Sequence, residues 1–467
     1  MERRLRDWIL VLRPWAFSAS VVPVAAVSAW LGWRGGPWDG VNAVLSVAVI
    51  VFLHAGADVL SDCRDHESGV DFRGAPNGVT WIQDGRFGLA VLRRYAVALL
   101  AVGALLGCVI LQRSAWQCLW VGAAGLAIAA GYSFLKYRAC GDLAVFLAFV
   151  VLPALGVGAV VSGVWSGAAV LVALPPGLLT LSILNANNIR DVVRDGRAGC
   201  RTLPQAIGLR RARGLYVAET VLPYALVAGL LTARLLPYAA VGVFLTLPLA
   251  ARNVAALRRG ELDALDRSSA RLQLLFGLLY VLAFPIGLLG FWGQLALGSV
   301  VTGALAVRNL PRDVCRNWLL EGALGVTLAA ALWGVFRVGD AVARQLFDFA
   351  AGQVASVYAL REGCSPVWIG AALLLLIGPA EELFWRGLVQ CGLAERWGKN
   401  AGLALATLAY ALIHVWSFNF MLVGAAAVCG LFWGLSYRFF PRHLPALVFS
   451  HALWDVAVFV IFPIGAA

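Results

Sequence analysis

Apolar runs recur along the whole of this chain. Many reach the roughly 20 residues that an α-helix needs to cross a bilayer. Only 13% of the residues are charged, against 61% hydrophobic, whereas a soluble domain carries about a quarter charged. Lipid offers a backbone N–H or C=O no partner, so open sheets are excluded and the spans are helical. The expected fold is therefore an all-α, polytopic membrane protein. Nine spans centre near Val21, Val49, Val102, Gly125, Leu152, Leu174, Val221, Val243 and Leu279. A polar joint follows, "RNLPRDVCRN" from Arg308 to Asn317, near Leu310. Beyond it come five or six more apolar segments, near Leu328, Val354, Leu375, Leu405, Ala427 and Val456. The segment at Val354 carries Gln345, Asp348 and Gln353 and suits the membrane interface. Two membrane domains result, a nine-helix bundle over 1–300 and a second helical domain over 318–467, with a linker at 301–317.

The net charge of +12 is mostly topological. Basic residues gather in alternate loops: Arg3, Arg4 and Arg6; Arg64 to Arg94; Lys136 and Arg138; Arg190 to Arg213; Arg252 to Arg271. The loops between them, near Arg34, Arg113, Trp165 and Arg234, are short and poorly charged. The positive-inside rule places the rich loops and the N-terminus on the cytoplasmic side of the cytoplasmic membrane. One conflict arises. Nine spans would put the joint outside, yet Arg308, Arg312 and Arg316 argue for inside, and Leu295 to Val307 is short for a span. No basic patch interleaved with aromatics lies on a soluble segment, so no nucleic-acid partner is expected. The first apolar segment is broken by Arg13 and Pro14 and does not read as a signal peptide. The nine cysteines lack metal-ligand spacing and read as small hydrophobes.

Carboxylates gather at two helix mouths. In "SDCRDHESGVD" and the turn before it, Asp58, Asp62 and Asp65 are spaced i, i+4, i+7, one acidic stripe on a helix; Asp71 follows Gly69, where the chain can turn away. In "NANNIRDVVRDGRAGCRTLP", Asn187, Asp191 and Asp195 repeat the pattern at i, i+4, i+8. Solvated loop charges would explain one such cluster. Two on one membrane face suit a shared task, because ionisable groups at membrane depth are costly. Paired hard oxygen ligands bind Mg²⁺, which bridges to phosphates. Lys136 and Arg138, in "FLKYRACGD", lie on the same face and can hold a phosphate.

These stretches, with "RPWAFSASVVPV" in the first helix and "LKYRACGDLAVFLAF", resemble the UbiA superfamily of intramembrane prenyltransferases, and within it the 1,4-dihydroxy-2-naphthoate polyprenyltransferases. The resemblance covers most of Arg13 to Gly290. It implies a bundle of about nine helices around a cavity open to lipid. It implies a polyprenyl diphosphate donor held on Mg²⁺ between Asp62 and Asp65 on one side and Asp191 and Asp195 on the other. Asp58, Ser61, Asp71, Lys136, Arg138, Asn187, Asn188 and Arg201 then form the surrounding substrate-binding set. The allylic C–O bond ionises, and an aromatic acceptor attacks, giving a menaquinone-type lipid quinone. The chain departs from the family pattern at Ser61, where the family places Asn, and at Asp58, often another Asn.

A second constellation lies in "GPAEELFWRG", "YALIHVW" and "SHALWD". It resembles the CPBP family, intramembrane proteases related to the CAAX-processing endopeptidases, over roughly Leu319 to Ile464. The motif residues are Glu381, Glu382 and Arg386; Tyr410 and His414; His451 and Asp455, with Gly430 and Gly434 as a small-residue pair for close packing. The resemblance implies a glutamate-activated water attacking a peptide bond, with His451 and Asp455 stabilising the oxyanion. Helix geometry divides the glutamates: Glu382 and Arg386 share a face as a supporting, substrate-binding pair, whereas Glu381 points about 100° away. A turn near Gly398 would place His414 at the depth of Glu381, to share a water.

The expected whole is a Mg²⁺-dependent prenyltransferase fused to an intramembrane protease, embedded in the lipid bilayer, with a polyprenyl diphosphate, an aromatic acceptor and a peptide as its partners. The rivals are a cation-coupled transporter and a mainly proteolytic protein whose first half binds lipid.

Overall fold

A computed structural model of the chain describes residues 5–71, 80–114, 116–308, 314–315 and 317–465. Arg3, Arg4, Leu310, Arg312 and Arg316, used above for topology, lie outside the described residues. The described chain is helical; its extended pairing is one isolated bridge between Arg138 and Arg201. Among the described residues, fourteen helices are long and apolar enough to cross a membrane, or fifteen if Leu5–Ala16 and Ser18–Trp33 count as one bent span. The chain divides into two compact units, Met1–Leu288 and Leu289–Ala467.

The first unit contains α1 (Leu5–Leu10), α2 (Ser18–Trp33), α3 (Gly40–Ser68), α4 (Leu89–Arg113), α5 (Leu119–Lys136), α6 (Gly141–Phe146), α7 (Leu152–Ser162), α8 (Gly167–Arg197), α9 (Leu203–Ile207), α10 (Leu209–Thr232), α11 (Leu247–Arg259) and α12 (Leu265–Gly287). Two of these position the site. Helix α3 starts where the Asp39 side chain accepts from the Asn42 N–H at 3.0 Å, and ends at Gly69 in the left-handed region, φ 77°. Helix α8 runs 31 residues through Pro175 and Pro176 and ends on Arg194 and Arg197. The core between them is aromatic and β-branched: Trp30, Val157, Val172, Phe276, Tyr280 and Phe284. Its polar atoms are tied off, as when Tyr280 donates to Val172 O at 3.1 Å. Large apolar side chains such as Leu105, Leu245 and Leu282 point outward, as lipid-facing surfaces require.

The second unit opens with α13 (Gly290–Val307). Sequence alone split this stretch between the first domain and the linker. Here it is one 18-residue helix whose Trp292 packs with Ile369 and Leu373. It starts five residues earlier than the apolar count suggested, because Gly290, at φ 65°, makes the turn that begins it. The unit continues with α14 (Trp318–Leu346), the short α15 (Ala350–Tyr358) around Val354, α16 (Pro366–Ala372), α17 (Gly378–Glu382), α18 (Cys391–Trp397), α19 (Lys399–Leu412), α20 (Phe420–Phe439) and α21 (Leu444–Val456). Wider π-type turns over Leu373–Ile377 and Leu383–Gln390 flank α17. The expected turn at Gly398 is present, φ 88°, between α18 and α19. Gly378 lets α17 approach α21: a Cβ built there would sit 2.8 Å from Ala452 Cα. Helix α21 starts against α14, where buried Glu321 accepts from the Ala446 N–H at 2.9 Å and pairs with His443 at 2.7 Å.

Candidate active sites

The α3 stripe forms as its spacing predicts, and its burial is graded. Asp62 and Asp65 are 5% and 6% exposed, while the Asp58 side chain is 19% exposed and lies 3.5 Å from His54 Nε2. His54 Nδ1 meets Ser20 Oγ at 2.9 Å, between the rings of Phe17 and Phe149. Ser61 is buried on the same helix as Asp62. Gly69 does not turn the chain away. It folds it back, so that the Asp71 N–H donates to Asp65 O at 3.2 Å. As a result Asp62, Asp65 and Asp71 each offer a carboxylate oxygen within 4.8 Å of the others. Burial, then the neighbouring Asp65 charge, pushes the Asp71 carboxyl above its usual range.

Two cations sit on these carboxylates. Arg13 bonds Asp62, and Lys136 donates to Asp65 Oδ2 at 2.6 Å. The Tyr137 hydroxyl donates to the other Asp65 oxygen at 2.9 Å and is itself bonded to Ser68. Asp62 Oδ2 is buried with no partner. A buried carboxylate oxygen left bare beside two further carboxylates fits a hard divalent cation such as Mg²⁺.

The second motif divides differently from the expected metal set. Asp191 is held by arginines: Arg190 donates to both its oxygens, at 3.0 and 2.7 Å, and Arg194 at 2.8 Å. Arg190 also reaches Asn187 Oδ1 and Asp266 Oδ2, both at 2.5 Å. Asp191 thus accepts three hydrogen bonds from guanidinium groups and stands outside the three-carboxylate cluster. Asp195, buried at 5% exposure, carries no side-chain hydrogen bond among the described residues and feels the charges of Lys136 and Asp65. Asn188 is buried on the same helix. Arg138 does not reach the carboxylates; its guanidinium stacks 3.4 Å over Phe134. Arg201 is exposed and meets the 138–139 backbone, where the Ala139 N–H donates to Arg201 O at 2.6 Å.

Arg13 and Tyr137 escaped the sequence-based site list. Arg13 had a signal: an arginine before proline that interrupts an apolar segment. In the structure it adopts φ 53°, between α1 and the helical turn Pro14–Ala16, four residues before the 60° bend that separates Leu5–Ala16 from Ser18–Trp33. Tyr137 had none beyond adjacency to Lys136.

In the second unit, Glu382 and Arg386 pair as helix spacing predicts, Nη1 to Oε1 at 2.9 Å, both nearly fully buried. Arg386 also donates to Cys429 O and Gly430 O at 3.3 Å and lies over Tyr410 and Trp433. Glu382 has a second partner, His451 Nδ1, at 2.9 Å. His451 is the hub: its Nε2 lies 3.5 Å from Asp455 and 3.9 Å from Glu381, and its ring stacks on Trp433 at 4.0 Å. The expected Glu381–His414 pairing does not form. Helix α19 ends at Leu412, and His414 Nδ1 turns to Tyr410 O at 2.8 Å. The Tyr410 hydroxyl takes Glu381 Oε2 at 2.9 Å instead.

Residues 20–275 match the model of the UbiA prenyltransferase family, and residues 363–457 match that of the Type II CAAX prenyl endopeptidase Rce1-like family. The chain is 28% identical over 287 residues to UbiA prenyltransferase domain-containing protein 1 of Xenopus tropicalis, covering 60% of this chain and 82% of that protein. It is 33% identical over 278 residues to 1,4-dihydroxy-2-naphthoate octaprenyltransferase of Mycobacterium tuberculosis, covering 55% of this chain and 87% of that protein. The apo structure of a UbiA homolog from Aeropyrum pernix aligns with a TM-score of 0.47 at 20% identity, over 57% of this chain and 97% of that one.

Proposed function

Since the chain belongs to the UbiA prenyltransferase family, we propose that its first unit moves a polyprenyl group from its diphosphate to an aromatic acceptor of the 1,4-dihydroxy-2-naphthoate kind, in making a menaquinone-type lipid quinone. The observation that carries this reading is the Asp62, Asp65 and Asp71 cluster with Arg13 and Lys136 on it. One mouth holds both the anions a divalent cation needs and the cations a diphosphate needs. The 33% identity to a 1,4-dihydroxy-2-naphthoate octaprenyltransferase supports the acceptor class.

Mg²⁺, when bound, would supply positive charge to offset that of the leaving diphosphate. Asp62, Asp65 and Asp71 would hold it, with Asp195 available from the facing motif. Arg13 and Lys136, pre-placed on the same carboxylates, can turn their remaining N–H groups to phosphate oxygens. Arg190 and Arg194 fix Asp191 and so the pitch of the second motif. The rings of Phe17 and Phe149 can shelter the allylic cation, and the apolar wall keeps out water that would quench it. The carboxylate motifs and the N-terminus face the cytoplasm in this reading, on a multi-pass protein of the cytoplasmic membrane.

For the second unit the reading is peptide cleavage. Glu381 takes a proton from water as the water oxygen attacks the peptide carbonyl carbon, and passes that proton to the leaving nitrogen as the C–N bond breaks. His451, oriented by Glu382 through Nδ1, donates from Nε2 to the developing oxyanion, with Asp455 beside it.

The test is to incubate the purified protein with Mg²⁺, polyprenyl diphosphates of several lengths and a panel of aromatic acceptors, and to identify products by mass. Asp62→Ala, Asp65→Ala and Asp71→Ala should each slow transfer by about a hundredfold or more. EDTA should abolish it and Mg²⁺ restore it. Near-wild-type turnover in the three variants would overturn the metal site, and gradient-driven cation flux without product would favour a transporter.

A further inference from the structure

The second unit brings together three metal-ligating side chains from distant parts of the chain. Cys315 of the joint, Glu321 in the first turn of α14 and His443 at the N-cap of α21 each offer one ligand atom, and the three atoms lie within 4.8 Å of one another. None of the three takes part in either candidate active site. Cys315 is a free, half-buried thiol. Glu321 is 0% exposed, and its Oε1 meets His443 Nδ1 at 2.7 Å. The His443 side chain is 33% exposed, so the cluster is open to solvent on that side.

Helix capping accounts for Glu321, which takes the Ala446 N–H at 2.9 Å, and for the imidazole beside it. It does not account for the thiol. Cys315 is held in place by contacts of its own segment. Its N–H donates to Arg442 O at 2.7 Å, and Val314 packs against the core that holds Leu444 and Leu447 of α21. These contacts set the thiol next to His443 from the far side of α14. The frame beneath is close-packed. Gly325 lies one turn after Glu321 on α14, so near α21 that a Cβ there would sit 2.6 Å from Phe449 Cβ and 3.0 Å from Ala446 O. The three ligands thus come from two helices in close contact and a joint fastened to one of them.

The donor set selects the ion. A thiolate is soft, an imidazole borderline and a carboxylate hard; Mg²⁺ and Ca²⁺ take oxygen ligands, whereas Zn²⁺ takes all three kinds. Tetrahedral zinc holds such ligand atoms roughly 3.3–3.6 Å apart, which the present separations reach with movements of about 1 Å. We propose that Cys315, Glu321 and His443 bind one divalent ion of the zinc type, with water in the fourth position, and that the ion ties the joint and α14 to the start of α21. Coordination needs the thiolate, so binding releases the thiol proton to water. His451 follows about 12 Å further along α21, so the ion fixes the root of the helix that carries it. The site is separate from the carboxylate cluster of the first unit in residues and in ligand chemistry.

The experiment uses the full chain in lipid nanodiscs, stripped with a chelator and returned to chelator-free buffer with a phosphine reductant. Co²⁺ is the probe. It enters zinc-type sites, and its bond to a thiolate absorbs in the near ultraviolet, whereas cobalt held by the carboxylates of the first unit does not. Wild type should take up one Co²⁺ per chain with that absorption. Zn²⁺ should erase it, and Mg²⁺ in about hundredfold excess should not. Cys315→Ser should lose the absorption outright, and His443→Asn should weaken Co²⁺ binding by about a hundredfold or more. Cys364→Ser, which removes an exposed thiol elsewhere in the unit, should match wild type. One equivalent of Zn²⁺ should raise the melting temperature of wild type and leave that of Cys315→Ser unmoved. A wild type without the thiolate absorption, or the same absorption in Cys315→Ser, overturns the site. If Cys315→Ser does not fold, an unchanged Co²⁺ affinity in His443→Asn overturns it. Zinc that binds as described and shifts no melting temperature overturns the tie between α14 and α21.

Discussion

Glu381 and Glu382 are adjacent in sequence and differ in what surrounds them. Glu382 is fully buried, bonded to Arg386 and to His451; Glu381 accepts from the Tyr410 hydroxyl and makes a long approach to His451. Glu381→Gln should therefore abolish peptide cleavage with little change in melting temperature. Glu382→Gln should strand a buried guanidinium and cost about 3–5 kcal/mol of stability. Cleavage assays and thermal unfolding of both variants decide this, and a Glu381→Gln protein that still cleaves would reject the assigned base. His451 lies 3.9 Å from Glu381, while His414 bonds Tyr410 O. Equal depth on antiparallel helices favoured His414, but that argument assumes regular helix to its end. Helix α19 stops two residues short, and the turns flanking α17 are wider than 3.6 residues. The carboxylates of α3 could be read because charge is conspicuous among apolar residues. Arg13 and Tyr137 could not be paired with them, since those bonds join residues 49 and 72 positions apart. The arginine grip on Asp191 has a local component, Arg190 and Arg194, that the spacing offered and the metal reading passed over.

At the scale of elements, a motif-bearing helix is set by a contact outside its own motif. Helix α21, which carries His451 and Asp455, has its first-turn N–H at Ala446 satisfied by Glu321 of α14, 125 residues away in sequence. A carboxylate there also complements the positive end of the helix. Glu321→Ala should cost about 1–2 kcal/mol, as losing an N-cap does. The measurement is thermal unfolding of the whole protein, followed by the near-ultraviolet signal of Trp433 and Trp454, which pack edge-to-face in the same unit. An unchanged melting temperature would show that water supplies the cap as well. The helices themselves were legible from hydropathy because lipid enforces one solution. The short α15 and the early start of α13 were not, since both depend on how ends are turned and packed rather than on apolar length.

Across the whole molecule, the number of crossings decides which loops share a face. Among the described residues, counting the bent first pair as one span, nine precede Leu289, and Gly290–Val307 adds a tenth. An even count returns the chain to the side of the N-terminus before Arg308, which removes the conflict between span number and positive charge. Of the later basic residues, Arg396, Lys399, Arg438 and Arg442 fall on that same side under strict alternation, whereas Arg344 and Arg361 fall on the other. A phosphatase reporter fused at the C-terminus should accordingly be active and a fluorescent-protein fusion dark, while fusions at Gly398 should behave the opposite way. A bright C-terminal fluorescent fusion would reject the fifteen-span count. One consequence concerns how the chain is made. A membrane protein is inserted in order, and every later segment inherits the orientation left by those before it. Helix α13 carries no motif, yet deleting its 18 residues would ask every following segment to enter the bilayer upside down, against the pull of its own arginines. A helix without chemistry can thus be as intolerant of loss as an active-site residue.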